Sequence, residues 1–264
     1  MELGLDGRNV LVAGASRGIG RGIAETFLAE GACVLLTGRD EVALAATETV
    51  LAAAHPGCVA AWSGDMTATD GIVTAFAALE KRFGAADVLV ANVGGGYLVP
   101  GWDVGDAELE QALEHNLTGT VRLVREGVRR MQREQAVEPG AFAPNIVVVS
   151  SIAGVDVMGA PFAYGIAKSG LNHFVGSMAR VVGPGMRVNA VAPGNILFEG
   201  GSWERSRAAA PERIERWIRR EVALKRFGTV EEIADVVAFL ASPRASFVTG
   251  ATWIADGGQV RSSA

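Results

Sequence analysis

The sequence predicts an α/β protein built on a doubly wound parallel β-sheet with helices on both faces, and three observations lead there. Short aliphatic or β-branched runs alternate with longer stretches of helical periodicity, the pattern of a parallel sheet whose crossovers are helices. The first such run passes through a glycine-rich loop, AGASRGIG at 13–20, directly into a helix-like stretch. The chain of 264 residues is 49% hydrophobic and 20% charged, enough to bury one sizeable core, and no break in composition divides it. A single domain over 1–264 follows, with ligands expected at the carboxyl ends of the strands.

Taken in order, NVLVAG precedes a helix over 19–30, CVLLTG one over 40–54 and CVAAWSGD one over 70–83. DVLVANVG leads to a helix over 106–133, NIVVVSS to one over 161–182 and MRVNAVAPG to 211–241, and TWIADGG closes the sheet. Two stretches interrupt the alternation. Residues 134–145, EQAVEPGAFAPN, read as a surface loop because two prolines and a glycine break any periodicity. Residues 195–210, NILFEGGSWERSRAAA, follow a strand end and combine glycines with exposed-looking Phe198 and Trp203; they read as part of a mobile substrate lid over 195–222. Thr229 and Glu232 form a capping-box pattern that opens the helix EEIADVVAFLAS.

The net charge of −5 offers no basic surface to attract nucleic acid or anionic lipid, so neither is an expected partner. Cys33 and Cys58 lie in apolar stretches without CxxC or metal-ligand spacing and read as buried, reduced thiols of a cytoplasmic protein. The segment MELGLDGRNV has no basic region followed by a long apolar run, so neither secretion nor a membrane span is expected. His55, His115 and His173 have no metal-ligand spacing with another His, Cys or carboxylate, and no metal is expected. His55 and His115 read as surface or packing residues, and His173 as packed or interfacial.

Gly14, Gly18 and Gly20 sit where a strand turns into a helix. Such glycines allow a tight turn and a close backbone approach to a phosphate held at the helix N-terminus. Their GxxxGxG spacing departs from the GxGxxG dinucleotide fingerprint, so on its own the loop suits a nucleotide, a methyltransferase-type cofactor or a plain structural turn. A second group of residues narrows the choice. Tyr164 and Lys168 are an i,i+4 pair on a predicted helix, so phenol and ammonium project from one face. A nearby cation favours tyrosinate and lowers the phenol pKa toward working pH, which suits Tyr164 to proton transfer. Ser151, at the end of NIVVVSS, is placed to hold a carbonyl oxygen beside it.

With these residues in view, the sequence resembles the short-chain dehydrogenase/reductase family over nearly its whole length, in the single-domain form of 3-oxoacyl-[acyl-carrier-protein] reductases. The matching landmarks, in chain order, are the glycine loop, Gly64 with Asp65, the stretch 91–94, Asn116, Ser151, Tyr164 with Lys168, Pro193 with Gly194, and the closing Asp256, Gly257 and Gly258. The resemblance implies a Rossmann-type fold and hydride exchange with a nicotinamide cofactor. It makes Tyr164 the general acid/base and Ser151 the group that orients the substrate oxygen. Lys168 would hold the nicotinamide ribose, and Asn116 would hold a water through which Lys168 exchanges protons. On the cofactor side, Asn92 and Gly94 would line the adenosine ribose, Asp65 and Met66 the adenine, and Pro193 and Gly194 the nicotinamide. Gly14, Ser16, Arg17, Gly18, Ile19, Gly20, Arg39 and Ile196 complete the expected cofactor set. Ala13, Ala91 and Val93 depart from the family's usual residues, and Phe198 stands where many members carry a threonine that holds the nicotinamide carboxamide.

The family's NAD-using members carry an aspartate where this chain has Gly38, and Asp40 reads instead as the N-cap of the next helix. Arg17 and Arg39 beside an uncharged Gly38 suit the 2′-phosphate of NADP, because guanidinium binds phosphate through paired hydrogen bonds. The expectation is therefore NADP(H), with NAD(H) as the alternative. A small carbonyl or alcohol would be the substrate. Trp203 and Trp217 either cap an apolar pocket or pack the lid, and the basic run Arg205 to Arg220 either attracts an acidic group or is a solvated helix face. Family members of this form assemble as tetramers, here through 106–133, 161–182 and 249–258. The rival reading is a non-catalytic nucleotide-binding redox sensor.

Overall fold

A computed structural model of the chain describes residues 2–95, 101–132, 138 and 140–261. Seven parallel strands form one sheet: β1 (Asn9–Val12), β2 (Cys33–Gly38), β3 (Val59–Ser63), β4 (Val88–Ala91), β5 (Asn145–Val149), β6 (Arg187–Pro193) and β7 (Thr252–Ala255). Their spatial order is β3-β2-β1-β4-β5-β6-β7, so the winding reverses between β1 and β4, where Val10 pairs with Val88 and Leu11 with Leu89. The carboxyl ends of strands on either side of such a reversal diverge and leave a crevice for a ligand.

The strands are apolar at nearly every position because both faces are covered. On one face Val10, Val12, Val34 and Leu36 pack with Ile23 and Phe27 of α1 (Gly18–Ala29), Leu44 and Leu51 of α2 (Glu41–Ala54), and residues of a later helix over Val230–Ala241. On the other, Leu11, Leu35 and Leu89 pack with Phe76 of α3 (Thr69–Phe83), and with Leu123 and Leu171 on two later helices. Phe27 and Phe76 anchor the two faces and are fully buried; each side chain contributes about 2–3 kcal/mol by leaving water.

Three helix readings need correction. The stretch 106–133 is not one helix: α4 (Asp106–Leu113) passes through a π-helical turn, Glu114–Thr118, into α5 (Gly119–Met131), and residue 133 lies outside the described residues. After α6 (Phe162–Val182), the loop read over 195–210 contains α7 (Ser202–Ala209), which Gly201 introduces in extended conformation. The stretch 211–241 is divided into α8 (Pro211–Glu221) and α9 (Val230–Ala241). Between them Lys225 has φ +60°, a turn conformation that no helix can contain. The Thr229–Glu232 capping box is present, and Asp40 caps α2 by accepting from the Ala43 amide at 3.0 Å. Of the loop 134–145, residues 134–137 and 139 lie outside the described residues, and 140–144 are irregular up to β5.

The end of α9 is held by an unusual clamp. The last carbonyls of a helix have no partner within it. Here Ala241 O accepts from Asn145 Nδ2 at 2.8 Å, while the buried Arg187 guanidinium donates to Leu240 O at 2.8 Å, Ser242 O at 3.0 Å and Val248 O at 3.2 Å. Asn145 begins β5 and Arg187 begins β6, so the clamp fixes α9 against the strands that lead to the site.

Candidate active site

Ser151 lies just beyond the carboxyl end of β5. Its hydroxyl accepts from the Ala153 amide at 3.2 Å, starting the 3₁₀ turn Ile152–Gly154, and it is hydrogen-bonded to the Tyr164 hydroxyl. Gly154 lacks a side chain where the Lys168 backbone presses against the turn, so α6 docks closely. Two side-chain bonds lock that docking: Ser150 Oγ donates to Asn172 Oδ1 at 2.6 Å, and Asn172 Nδ2 donates to Gly154 O at 3.0 Å. Tyr164 and Lys168 thus reach the cavity from a helix whose rotation is set by the strand beside it.

Lys168 is only 3% exposed and donates from Nζ to Val149 O at 3.1 Å. Burial pulls its pKa down from 10.5 to about 8, so the ammonium is held by a strand carbonyl in a poorly solvated place. Its nitrogen is 5.7 Å from the centre of the Tyr164 ring. The expectation that Lys168 lowers the phenol pKa is not met: burial raises the pKa of Tyr164 and the bond to Ser151 lowers it, with the burial effect prevailing.

Asn116 is fully buried within the π-helical turn, a device often found where a side chain is turned toward a site. Its Oδ1 accepts from the Gly95 amide at 2.9 Å and its Nδ2 donates to Ala112 O at 3.1 Å. A Cβ on Gly94 would stand 2.7 Å from Asn116 Oδ1 and 3.4 Å from Lys168 Nζ, so a glycine at 94 lets these two groups share one corner.

The glycine loop crosses the end of β1. Gly14 and Gly18 have φ +69° and +57°, which only glycine adopts freely. Asn92 Nδ2 donates to Gly14 O at 3.0 Å, and a Cβ on Gly20 would come within 2.5 Å of that same nitrogen, so loop, α1 and β4 are in close contact. Helix α1 starts with neither a side-chain cap nor an acidic residue in its first turn, which leaves its N–H groups and positive end toward an anion.

These parts border one cavity of about 1010 Å³. Its floor near β1 is made by Gly14, Ser16, Arg17 and Ile19; Gly38, Arg39, Asp65 and Met66 form one end; Asn92, Gly94, Ser151, Tyr164 and Lys168 form the other, with Pro193, Gly194 and Ile196 along the side. Gly18 and Gly20 support this floor and Asn116 stands behind Gly94 and Gly95, so the predicted set is assembled around a single space. A cavity bordered by a glycine turn, an uncapped helix start, Arg17 and Arg39 fits a dinucleotide.

His115, read as a surface or packing residue, is half-buried in the wall near Arg39 and Asp65. Burial and the charges of Arg39 and Lys168 lower its pKa, against an opposing pull from Asp65. Burial pushes Asp65 up, but the Thr67 hydroxyl and amide, with Arg39 and His115, bring it below the usual carboxylate value. The clue to His115 was its place beside Asn116. Cys33 and Cys58 are free and half-buried rather than buried, and His173 is exposed rather than packed.

Over 195–222, Phe198 is half-buried rather than exposed, with its ring against Gly18. Trp203 stacks on Trp217 at 5.2 Å between ring centres and meets Phe227 at 5.7 Å, above Ile214, Ile218 and Val222. Both tryptophans therefore pack a small core of their own and also line the cavity. Gln259, which sequence reasoning passed over, lines it too and accepts from Asn195 Nδ2 at 2.5 Å. Among the described residues no helix is long and apolar enough to cross a membrane, and no cluster of three or more His, Cys, Asp or Glu could hold a metal.

A family model described as enoyl-(acyl carrier protein) reductase matches residues 14–259. The 3-oxoacyl-[acyl-carrier-protein] reductase FabG of Escherichia coli K12 is 34% identical over 260 residues, covering 97% of this chain and 98% of that protein. The crystal structure of L-sorbose reductase from Gluconobacter frateurii, complexed with NADPH and L-sorbose, superposes with a TM-score of 0.89 at 26% identity, covering 99% of this chain and 100% of that one. A 7α-hydroxysteroid dehydrogenase complexed with NADH and 7-oxo glycochenodeoxycholic acid gives a TM-score of 0.86 at 28% identity, covering 99% and 97%.

Proposed function

This chain belongs to the short-chain dehydrogenase/reductase family, and we propose that it runs that family's reaction with NADP(H) as preferred cofactor and Tyr164 as general acid/base. It is an NAD(P)-dependent oxidoreductase acting on a carbonyl or alcohol group. The observation that carries the proposal is the convergence of Ser151, Tyr164 and Lys168 on one cavity that also receives the glycine loop and Arg39.

When bound, the nicotinamide supplies or accepts the hydride. The protein's own part is to place the oxygen and move a proton. Ser151 donates to the substrate oxygen and holds it beside the Tyr164 hydroxyl, which protonates the alkoxide as it forms or deprotonates the alcohol in the reverse direction. The raised pKa of Tyr164 keeps it protonated before reduction. The Lys168 ammonium, desolvated and fixed by Val149 O, binds ribose hydroxyls and supplies positive potential as negative charge develops on the phenol. Asn116 holds the π-helical turn and the Gly94–Gly95 backbone in the shape that keeps Lys168 in place, and positions a water that returns protons to it from solvent.

NADP(H) preference rests on Arg39 and Gly38 at one end of the cavity with Arg17 in the adjoining floor, where no aspartate ends β2 to meet a ribose 2′-hydroxyl. Segment 195–222, within the single domain, acts as the substrate lid. Exposed apolar residues Phe162, Ile166 and Val181 on α6 and Trp253 and Ile254 on β7 support assembly as a homotetramer. The free Cys33 and Cys58 suit a reducing, cytoplasmic setting. The test is a panel of ketones, cyclic alcohols, polyols and 3-oxoacyl thioesters assayed with NADPH and with NADH by the absorbance of the reduced cofactor. Turnover with a higher kcat/KM for NADPH is expected; equal or better use of NADH overturns the cofactor preference, and no turnover with any substrate favours the redox-sensor reading.

A further inference from the structure

Phe198 is the residue whose surroundings the reaction leaves unexplained. A Cβ built on Gly18 would lie 2.5, 2.8 and 2.9 Å from three carbons of the Phe198 ring, and one built on Gly201 would lie 3.2 Å from two of them. The ring is thus seated between two glycines, and the Gly201 amide closes a turn over it by donating to Phe198 O at 3.0 Å. Gly18 is the first residue of α1, and its neighbours Arg17 and Ile19 border the cavity together with Phe198 itself. An apolar ring therefore rests on the glycine turn that leads into α1, a helix start with no side-chain cap and no acid in its first turn.

We propose that Phe198 occupies the seat of the cofactor diphosphate, so that its ring must leave Gly18 before NADP(H) can bind. This inference rests on the proposed function. A phosphate oxygen bonded to backbone N–H groups approaches to about 2.9 Å, and a ring already in van der Waals contact with Gly18 shares that space. Binding then selects the conformation with the ring displaced, and the apparent affinity is reduced by the fraction of molecules in which it is displaced. Phe198 is joined through Gly201 to α7, which carries Trp203 into the substrate end of the cavity, so arrival of the cofactor shifts the lid. The residue acts as a positioning residue: it sets the cost of cofactor entry and couples entry to the shape of the substrate pocket.

The test measures Kd by calorimetry for NADPH, NADH and adenosine 2′-phosphate with the wild type, Phe198→Ala and Phe198→Trp. Adenosine 2′-phosphate carries the adenosine end without the diphosphate. Phe198→Ala removes the ring without adding a hydrogen-bonding group, and is expected to bind both dinucleotides about tenfold tighter, the factor for a displaced state populated about a tenth of the time. Adenosine 2′-phosphate should bind unchanged, and Phe198→Trp should weaken both dinucleotides. Dinucleotide binding to Phe198→Ala that is equal to or weaker than wild type overturns the inference. So does a tightening that extends equally to adenosine 2′-phosphate, because it would reflect general loosening of the cavity. Should Phe198→Ala fail to fold by circular dichroism, Phe198→Trp decides, and unchanged or tighter binding overturns the inference. If neither dinucleotide binds any of the three proteins, the proposed function itself falls and the inference with it.

Discussion

The wall formed by β5 and α6 and the lid formed by α7 and α8 face each other across one cavity, but they are built differently. Ser151 follows a fully buried strand, Tyr164 and Lys168 lie on a long helix, and the Ser150, Asn172 and Gly154 hydrogen bonds join the two. The segment formed by α7 and α8 rests on a much smaller core: Trp203, Trp217 and Phe227 over Ile214, Ile218 and Val222, with no fully buried residue in α7 and with ion pairs such as Arg207 with Glu215 and Arg216 with Glu212 in solvent. Pairs that exposed add little stability. The wall therefore has the fixed geometry that the proposed proton transfer requires, whereas α7 and α8 are less tightly held, as the proposed lid role requires.

If this division holds, changes in the wall reduce turnover and changes in the lid alter affinity. The largest effect is expected from Tyr164→Phe, which removes only the transferable proton: kcat should fall about 10²–10⁴-fold while the Kd for NADPH, read by calorimetry, stays the same. Retained turnover would break the comparison outright. Lys168→Met should cost about 100-fold in kcat/KM and remove a pH limb. The limb arises because Lys168 loses its proton near pH 8, so wild-type kcat/KM should decline as pH rises through about 8 and the variant should show no such decline. The stability effect has the opposite sense. The folded-state pKa of about 8 lies below the ordinary 10.5, so the unfolded chain binds more protons between them, and the Lys168 contribution to stability rises with pH across that window. Thermal melts from pH 7.5 to 10 should show the wild type gaining on Lys168→Met.

Smaller effects sharpen the picture at the cavity's other ends. Arg39→Ala should lower kcat/KM for NADPH about tenfold or more and leave NADH nearly unchanged, since only the 2′-phosphate loses a charge-assisted partner. A parallel loss with both cofactors would move Arg39 from phosphate recognition to the adenine pocket. The least severe change is expected from Trp217→Ala: KM for the best substrate should rise about fivefold with kcat little altered, as for the loss of one apolar contact. A fall in kcat equal to that of Tyr164→Phe would show that the lid shares in the chemistry.

Local sequence carried the sheet because each strand is a compact apolar run bounded by glycine or polar residues, and β1 through β7 all appear where such runs stand. Tyr164 and Lys168 were legible together because four residues along a helix return to the same face. Asn116 and His115 were harder. Their orientation depends on the π-helical turn, one extra residue in a helical ring, which leaves no mark in a periodicity that reads smoothly over 106–133. The break between α8 and α9 was hidden for a related reason, since the turn is made by Lys225 at positive φ, a residue type with no bias toward that conformation. Phe198 was visible as a departure from its family, but its seat is defined by Gly18 and Gly201, which are distant from each other in sequence and meet only in the fold. The pKa of Tyr164 followed from burial rather than from the lysine four residues away, and burial is a property of the assembled cavity.

Arg187 brings a different kind of durability to the molecule. Its guanidinium is satisfied by three carbonyl oxygens and by no ion pair among the described residues, so nothing in that clamp awaits a proton. The lid helices carry exposed pairs such as Arg207 with Glu215 and Arg216 with Glu212, whereas the seam of α9 with β6 is held by buried bonds to carbonyls. Amide hydrogens should therefore exchange first in α7 at the mouth of the cavity, with the sheet and its α9 seam the last part to open.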